Sequence, residues 1–259
     1  MKIAVIQTNT VLDYQENLAQ IQKLISEAKF KGAEAMFLPE VFYSMSDGEK
    51  PTPHLVEMGN EHYENIKNLA IKNKVALLGG SVACLHEGKI VNRALFFDEE
   101  GRDLGHYDKV HLFACDLPEK KISEANVYTP GSEYKKIDYK NLSIGAGICF
   151  DVRFSEQALH YRNLGANVLT YSAAFTVPTG KAHWHTLLKA RAIESQCYVV
   201  AAAQWGYHNS KIQTFGHSLI VDPWGEILAD AKEGLGVGIA QIDIDKMNFI
   251  RSQVLMGRN

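Results

Sequence analysis

The chain has 259 residues, 46% of them apolar, with 27 basic residues against 30 acidic ones. This composition supports a buried core and excludes a disordered chain, and a formal charge of −3 excludes a dominant electrostatic attraction to nucleic acid or a membrane surface. The apolar runs are much shorter than the ~20 residues that cross a bilayer, and the N-terminal residues lack a signal-peptide pattern, so we expect a cytoplasmic protein.

The first part of the chain alternates short β-branched runs with amphipathic helical segments, which is typical of an α/β protein. Asp13 is an N-cap residue for the first helix, and Gly32 ends it. A second helix is predicted over residues 61–72. The strands predicted in this part are residues 2–7, 33–38, 75–82, 90–98 and 105–110.

A long loop is predicted over residues 111–136, a length that is typical of functional segments. Further helices are expected at 154–163 and 183–195, and a hairpin at 217–229 turns at the sequence DPWG. The remaining predicted strands are residues 142–148, 166–171, 197–204 and 236–243. No linker or internal repeat interrupts this pattern, which favours a single domain over residues 1–259.

The four cysteines are widely spaced and include no CxxC pair, so neither a disulfide framework nor a Cys-rich zinc site is expected. Cys149 stands apart because it follows a strand at a strand-to-helix turn, after Gly145 and Gly147. Such a turn exposes a nucleophile, and the helix N-terminus there is expected to lower the pKa of the thiol. The alternative is a buried cysteine that fills a small slot in the core.

Two further reactive side chains, Glu40 and Lys109, also follow predicted strands. If the sheet is mostly parallel, its carboxyl edge brings both close to Cys149. A carboxylate in apolar surroundings can serve as the base for a thiol, as can one of the ten histidines. Lys109 and the Phe150 N–H are candidates to stabilise an oxyanion. The alternatives are a solvated glutamate and an exposed strand-end lysine.

These segments resemble the Glu-Lys-Cys triad of the nitrilase superfamily of carbon–nitrogen hydrolases. The resemblance spans nearly the whole chain and is carried by KIAVIQ at 2–7, LPE at 38–40, YDKVHLF at 107–113, CFDVRF at 149–154 and DPWG at 222–225. It implies that Glu40 is the general base, Lys109 the oxyanion-stabilising cation and Cys149 the nucleophile. It also implies a supporting role for Glu124.

The same resemblance implies a four-layer αββα sandwich that commonly pairs into dimers or larger homo-oligomers through helices and strands near the nucleophile. The implied reaction is hydrolysis of a small-molecule amide through a Cys thioester, with release of ammonia and no need for a cofactor. Ser155 stands where many relatives have proline, a departure outside the chemistry.

Residues 183–204, 215–218 and 221–225 look most like the branch that acts on deaminated glutathione, with the ω-amidase branch acting on 2-oxoglutaramate as its neighbour. Both substrates are acidic keto amides, which require cationic or N–H donors at the far end of the pocket. Arg153 and Thr176 are candidate donors by position, and Phe175 is a candidate wall of the pocket. Alternatively, Arg153 pairs with Asp151 or Glu156.

The residues alone leave other functions possible. They are another aliphatic amidase or N-carbamoyl hydrolase of the superfamily, a Cys-His hydrolase, and a catalytically silent scaffold with the same fold. The pair His183 and His185 does not predict a metal site, because residues two apart on a helix face different directions and no third ligand stands at a recognisable spacing.

Overall fold

The computed structural model describes residues 1–117 and 120–256. The α-helices in this part of the chain are α1 Tyr14–Phe30, α2 Glu61–Asn73, α3 Ser155–Asn163, α4 Val177–Ser195 and α5 Ile244–Gln253. None of the helices in these two ranges has the length and hydropathy needed to cross a bilayer.

The strands are numbered along the chain. They are β1 Lys2–Gln7, β2 Ala35–Phe37, β3 Ala76–His86, β4 Lys89–Phe97, β5 Asp103–Asp108, β6 Ala114–Leu117, β7 Lys120–Ser123, β8 Lys136–Tyr139, β9 Leu142–Ile148, β10 Val168–Ser172, β11 Tyr198–Ala201, β12 Trp205–Tyr207, β13 Gln213–Phe215, β14 Leu219–Val221, β15 Ile227–Asp230 and β16 Gly236–Gln241. Short 3₁₀ helices occupy Glu124–Asn126 and Cys149–Arg153.

Two six-stranded sheets form the centre of the fold, in the orders β16-β1-β2-β3-β4-β5 and β15-β14-β11-β10-β9-β8. Strands β1, β2 and β3 are parallel, and two antiparallel pairings through β4 bring β5 back to the direction of β3. In the second sheet, β9, β10 and β11 are parallel. The carboxyl ends of β2 and β5 therefore lie at one edge of the first sheet.

The period-2 pattern of β1 places it between two cores. Ile3 and Val5 pack between the sheets, whereas Ala4 and Ile6 pack with the buried face of α1, which includes Ile21. Helices α3 and α4 contact the outer face of the second sheet. The expected four-layer αββα sandwich is thereby confirmed.

Helix α1 begins where the sequence predicts, because the Asp13 carboxylate accepts a hydrogen bond of 2.8 Å from the Gln15 N–H. Helix α4, however, begins at Val177 and not at residue 183. In the sequence alone, Pro178 and Gly180 favour a loop at this position. Pro178 instead lies in the first turn, where a missing N–H costs nothing, and Gly180 packs its backbone against Phe215.

The prediction of a continuous loop over residues 111–136 is wrong. Strands β6 and β7 pair as an antiparallel hairpin, and the Glu124–Asn126 3₁₀ turn follows. Pro118, which favoured a loop, lies outside the described residues. The sequence reading also missed strand β8, the β12–β13 hairpin and helix α5, and it extended the strand at 197–204 beyond Ala201.

Candidate active site

Three strand ends converge at one site that lies between the two sheets. Glu40 follows β2, Lys109 follows β5, and Cys149 opens the 3₁₀ helix that follows β9. The Lys109 Nζ donates to Glu40 Oε1 at 2.7 Å. From the second sheet, the backbone N–H of Ala174 donates to Glu40 Oε2 at 3.0 Å. The residues predicted from sequence are thus brought together, although they come from two sheets and not from one.

The Lys109 side chain is completely buried, contrary to the alternative of an exposed strand-end lysine. Its Nζ lies 2.8 Å from Glu124 Oε2 as well as 2.7 Å from Glu40 Oε1. Burial lowers the pKa of this ammonium, but the carboxylates of Glu124 and Glu40 more than compensate, and the pKa stands well above its usual value. Lys109 is therefore a fixed positive charge at neutral pH.

Glu40 is 3% exposed, which excludes the alternative of a solvated glutamate. Besides Lys109 and Ala174, its carboxylate accepts a hydrogen bond of 2.9 Å from the side-chain amide of Asn92 on β4. The side-chain amide of Gln204 donates to the Glu40 backbone carbonyl at 3.0 Å. These contacts fix both the side chain and the backbone of Glu40.

Glu124 enters the site from the 3₁₀ turn after β7. Its Oε2 accepts a hydrogen bond of 2.8 Å from the Phe113 N–H, while Lys109 Nζ reaches both carboxylate oxygens. Burial raises the pKa of Glu124 despite the neighbouring ammonium. Glu124 thus holds Lys109 through a second ion pair, in addition to that with Glu40.

Cys149 is 9% exposed and adopts a left-handed backbone conformation, with φ of 48°. A non-glycine residue with such a φ at a tight turn is the kind of local strain found at functional sites. The expectation of a lowered thiol pKa is wrong. Burial, and next the negative charge of Glu40, raise the pKa of Cys149 well above its usual value, and Lys109 offsets this only in part. The resting nucleophile is therefore the protonated thiol.

Asp151, two residues after the cysteine, ties the nucleophile turn to the segment that carries Lys109. Its buried carboxylate accepts hydrogen bonds from the Tyr107 hydroxyl at 2.8 Å and the Ile148 N–H at 2.8 Å. It also contacts the N–H and ring Nδ1 of His111, at 3.1 and 2.7 Å. Asp151 is thus committed to structure, which removes it as a partner for Arg153.

Aromatic side chains surround Arg153, four residues after Cys149. The Arg153 guanidinium lies 5.7 Å from the ring centroid of Phe150 and 5.5 Å from that of Phe175, and its Nη2 lies 3.2 Å from His183 Nδ1. Within residues 1–117 and 120–256, Arg153 forms no ion pair with a carboxylate, so the alternative that it pairs with Asp151 or Glu156 is not observed. The backbone of Phe150, the predicted second oxyanion donor, belongs to the same 3₁₀ helix as Cys149.

Phe175 is buried against Trp184 of α4, with ring centroids 4.7 Å apart. Thr176, the residue before α4, places its hydroxyl 2.8 Å from that of Thr179. Of the two predicted pocket residues, Phe175 packs as a wall beside Arg153, whereas the Thr176 hydroxyl is engaged within the helix start.

Sequence reasoning missed Asn92, Asp151, Gln204 and the Ala174 N–H. Asp151 carried a usable signal, because an acidic residue at a strand-to-helix turn is well placed to accept backbone N–H bonds. Asn92 and Gln204 lie within apolar strand patterns and gave none. Chemically, the site combines a protonated thiol, a carboxylate acceptor and a fixed ammonium, the requirements for covalent attack on a carbonyl carbon.

Comparisons with known proteins agree with this geometry. A family model described as carbon-nitrogen hydrolase matches residues 2–252. The chain is 42% identical over 251 residues to the nitrilase and fragile histidine triad fusion protein NitFhit of Drosophila melanogaster, covering 96% of this chain but 55% of that protein. The chain thus spans about half the length of this curated relative.

Two relatives of more similar length carry enzyme names. Deaminated glutathione amidase of Homo sapiens is 38% identical, covering 96% of this chain and 79% of the relative. Omega-amidase NIT2 of Xenopus tropicalis is 37% identical, with 94% and 88% covered. Among solved structures, Nit3 of Saccharomyces cerevisiae, described as a member of the nitrilase superfamily, superposes with a TM-score of 0.90 at 31% identity, covering 100% of this chain and 95% of that one.

Proposed function

The chain belongs to the carbon-nitrogen hydrolase family, and we propose that it is an amidase in which Glu40, Lys109 and Cys149 carry out the reaction. The observation that carries this proposal is the buried Lys109 ammonium, which contacts Glu40 at 2.7 Å and acts electrostatically on the Cys149 thiol. A buried ammonium in the same site as a thiol is placed to stabilise negative charge that forms on a carbonyl oxygen there.

In the first half-reaction, Glu40 accepts the thiol proton as Cys149 Sγ attacks the carbonyl carbon of the amide. The carbonyl oxygen becomes an oxyanion that Lys109 and the Phe150 N–H stabilise. The tetrahedral intermediate then collapses, Glu40 returns its proton to the leaving nitrogen, and ammonia departs. The product on the enzyme is a thioester of Cys149.

In the second half-reaction, Glu40 removes a proton from water as the water oxygen attacks the thioester carbon. Collapse of this second intermediate breaks the carbon–sulfur bond and releases the carboxylic acid. The proton returns from Glu40 to the Cys149 sulfur, which regenerates the resting thiol. Glu124 takes no proton in this scheme and holds Lys109 in position through the contact at 2.8 Å.

Replacing the nucleophile tests the proposal. We expect Cys149→Ala to abolish ammonia release from every amide while the protein keeps its fold, measured by circular dichroism. Cys84→Ala is the matched control, because Cys84 is also buried but lies on β3, and it should retain activity. Turnover of Cys149→Ala near the wild-type rate would refute the assignment.

For the substrate, we propose a small acidic keto amide, with deaminated glutathione first and 2-oxoglutaramate as the alternative. Two relatives at 37–38% identity carry names for these two activities. The Arg153 guanidinium, which lies against the rings of Phe150 and Phe175, supports an anionic substrate. Ammonia release should be compared for both keto amides, a simple aliphatic amide and an N-carbamoyl compound. Equal kcat/KM on all four would contradict this choice.

We also propose that the protein works in the cytoplasm as a homodimer. All four cysteines are free thiols, which suits a reducing compartment. Cell fractionation followed by immunoblotting tests the location, and recovery in an oxidising compartment would contradict it.

A further inference from the structure

A second group of chemically reactive side chains lies away from the thiol, where helix α4 meets the second sheet. It contains His185 of α4, His217 after β13 and Asp230 at the end of β15, and one ligand atom from each falls within 4.8 Å of the other two. His217 Nδ1 is 3.1 Å from each oxygen of Asp230, and His185 Nε2 is 3.7 Å from Asp230 Oδ2. The three side chains are partly buried, with exposures of 34% for His185, 20% for His217 and 22% for Asp230.

Of the two histidines considered in the sequence analysis, only His185 belongs to this cluster, and His183 does not. His183 faces Arg153, with its Nδ1 3.2 Å from the guanidinium, whereas His185 faces His217, with ring centroids 4.9 Å apart and planes inclined at 68°. The direction expected for residues two apart on a helix is therefore observed. The additional donors come from two segments that are distant in sequence and so left no spacing motif.

We propose that His185, His217 and Asp230 bind a Zn²⁺ ion, with solvent as the fourth ligand. Two imidazole nitrogens and one carboxylate oxygen make a donor set that zinc accepts in three-ligand sites. Zinc–ligand bonds of about 2.0–2.1 Å in a tetrahedral site place ligand atoms about 3.3 Å apart, close to the 3.1 and 3.7 Å already present. The ligand nitrogens of His185 and His217 lie within 4.8 Å of each other, so this pair closes by side-chain rotation when the ion binds.

The surroundings hold these ligands in the required orientation. The Lys232 N–H donates to Asp230 Oδ1 at 2.7 Å, which leaves Oδ2 directed at His185. The Trp184 indole N–H donates to the His217 carbonyl at 2.8 Å, and the His217 ring stacks on Phe215 with centroids 4.5 Å apart. Partners of this kind orient metal ligands and raise site affinity.

Zinc at this position crosslinks helix α4, the segment after β13 and strand β15. It takes no part in amide hydrolysis. The connection continues to the side chains around Arg153, because the Phe215 N–H donates to the Phe175 carbonyl at 2.9 Å. Phe175 forms the wall beside Arg153. The ion therefore stabilises the fold and the wall of the pocket.

Zinc binding to the metal-stripped full-length protein tests the proposal, with ZnCl₂ as the probe. A Cys149→Ala background is included because thiols also bind zinc. We expect one equivalent of zinc per chain by equilibrium dialysis, in both the native and the Cys149→Ala proteins. At 100-fold excess over Kd, Tm should rise by roughly 5 °C.

His185→Gln and Asp230→Asn should each reduce zinc affinity at least tenfold and abolish the Tm shift. His183→Gln, a change on the same helix outside the cluster, should retain both. Because His185 is partly exposed on the helix surface, its replacement keeps the fold even if Asp230→Asn does not. Zinc binding that survives His185→Gln, that disappears in Cys149→Ala, or that is lost in His183→Gln would overturn the site.

Discussion

The balance of charge around Lys109 decides how the candidate nucleophile behaves. In the resting site, one buried ammonium faces two carboxylates, Glu40 and Glu124, so the local field disfavours a further negative charge until Glu40 takes up the thiol proton. Accordingly, burial together with Glu40 raises the pKa of the Cys149 thiol. A thiol that is protonated at rest requires a base during attack, and Glu40 is the acceptor at hand.

Removing the charge of Glu40 separates its effect on the pKa of the Cys149 thiol from its role as the base. In Glu40→Gln, loss of the negative charge should lower the pKa of the thiol, because Glu40 contributes to raising it. The pH at which iodoacetamide alkylates Cys149 half-maximally should therefore fall. Ammonia release should drop by at least 10³-fold, because no base remains. Both quantities are read from the same preparation.

The control for this variant is Glu49→Gln, a change on an exposed loop that should alter neither quantity. A Cys-His mechanism predicts the opposite result. His111, held by Asp151 at 2.7 Å, is a histidine near the nucleophile turn. If His111→Gln abolishes turnover while Glu40→Gln retains most of it, the base is the histidine and the Glu40 assignment fails.

The guanidinium of Arg153 provides a separate test of substrate choice. In Arg153→Gln, kcat/KM for an acidic keto amide should fall about 10- to 100-fold, mainly through KM, because a charge-assisted contact is lost. The same ratio for an uncharged aliphatic amide should stay within about twofold of the wild type. An equal loss on both substrates would mean that Arg153 acts through packing on Phe150 and Phe175, and not through recognition of the carboxylate.

Which residues the sequence could identify depended on where they lie. Glu40, Lys109 and Cys149 each follow a strand, which predicts a common site only if the sheet is mostly parallel, and the resemblance to the nitrilase superfamily supplied their roles. Asn92 lies inside β4 and Ala174 acts through its backbone N–H, so neither carries a local signal. The direction of the Cys149 pKa shift also escaped prediction, because it depends on the depth of burial and not on the turn that precedes the residue.

At the scale of elements, Asp151 joins the turn after β9 to the segment after β5. Its carboxylate accepts from the Ile148 N–H and the Tyr107 hydroxyl and also contacts His111. Asp151→Asn replaces one accepting oxygen with an NH₂ group that opposes these donors. We expect a loss of about 3 kcal/mol of unfolding free energy. Urea denaturation measures it, and kcat should fall as the nucleophile turn loosens.

Asp138→Asn is the matched comparison, since Asp138 is largely exposed on β8 and forms a surface ion pair with Lys136. Such pairs contribute little, so its unfolding free energy should change by less than about 1 kcal/mol. If both variants had the same stability as the wild type, Asp151 would not join the two elements as described.

Element boundaries were predictable where capping residues and periodicity agreed, as for α1 after Asp13. The boundaries were not predictable where a residue type is compatible with two local structures. Pro178 ends a helix or opens one, and only the packing of Gly180 against Phe215 decides that it opens α4. The β6–β7 hairpin was missed for a related reason, since Pro118 within its sequence favours a loop.

The whole molecule distributes its site over two sheets, which no local pattern could reveal. Alternation in β1 predicts a buried strand, yet it does not say that Ile3 and Val5 face a second sheet. The resemblance to the nitrilase superfamily supplied that step. Contacts between the sheets, such as that of the Gly80 N–H with the Ser172 hydroxyl at 2.9 Å, then fix their relation near Glu40.

The outer surface indicates where two copies would meet. Exposed apolar side chains from α4, the β14–β15 turn and α5 lie along adjoining grooves: Ile193, Trp224 and Phe249 are 50%, 64% and 65% exposed. The turn packs against the helix, since a Cβ at Gly225 would approach Ile193 Cδ1 to 2.7 Å. A contiguous apolar patch of this kind is typical of an interface, and a two-fold axis brings the patch against its own copy.

We therefore expect Trp224→Glu to weaken the proposed homodimer by at least ~30-fold in Kd. A tryptophan that becomes buried in an interface is a frequent hot spot, and the two new carboxylates would lose their water together when the dimer forms. Size-exclusion chromatography with light scattering measures the mass at several micromolar concentrations. Tyr207→Glu is the matched control, since Tyr207 is 71% exposed but lies on the β12–β13 hairpin, and it should remain dimeric. A monomeric wild-type protein, or a Trp224→Glu protein that stays dimeric, would refute this interface.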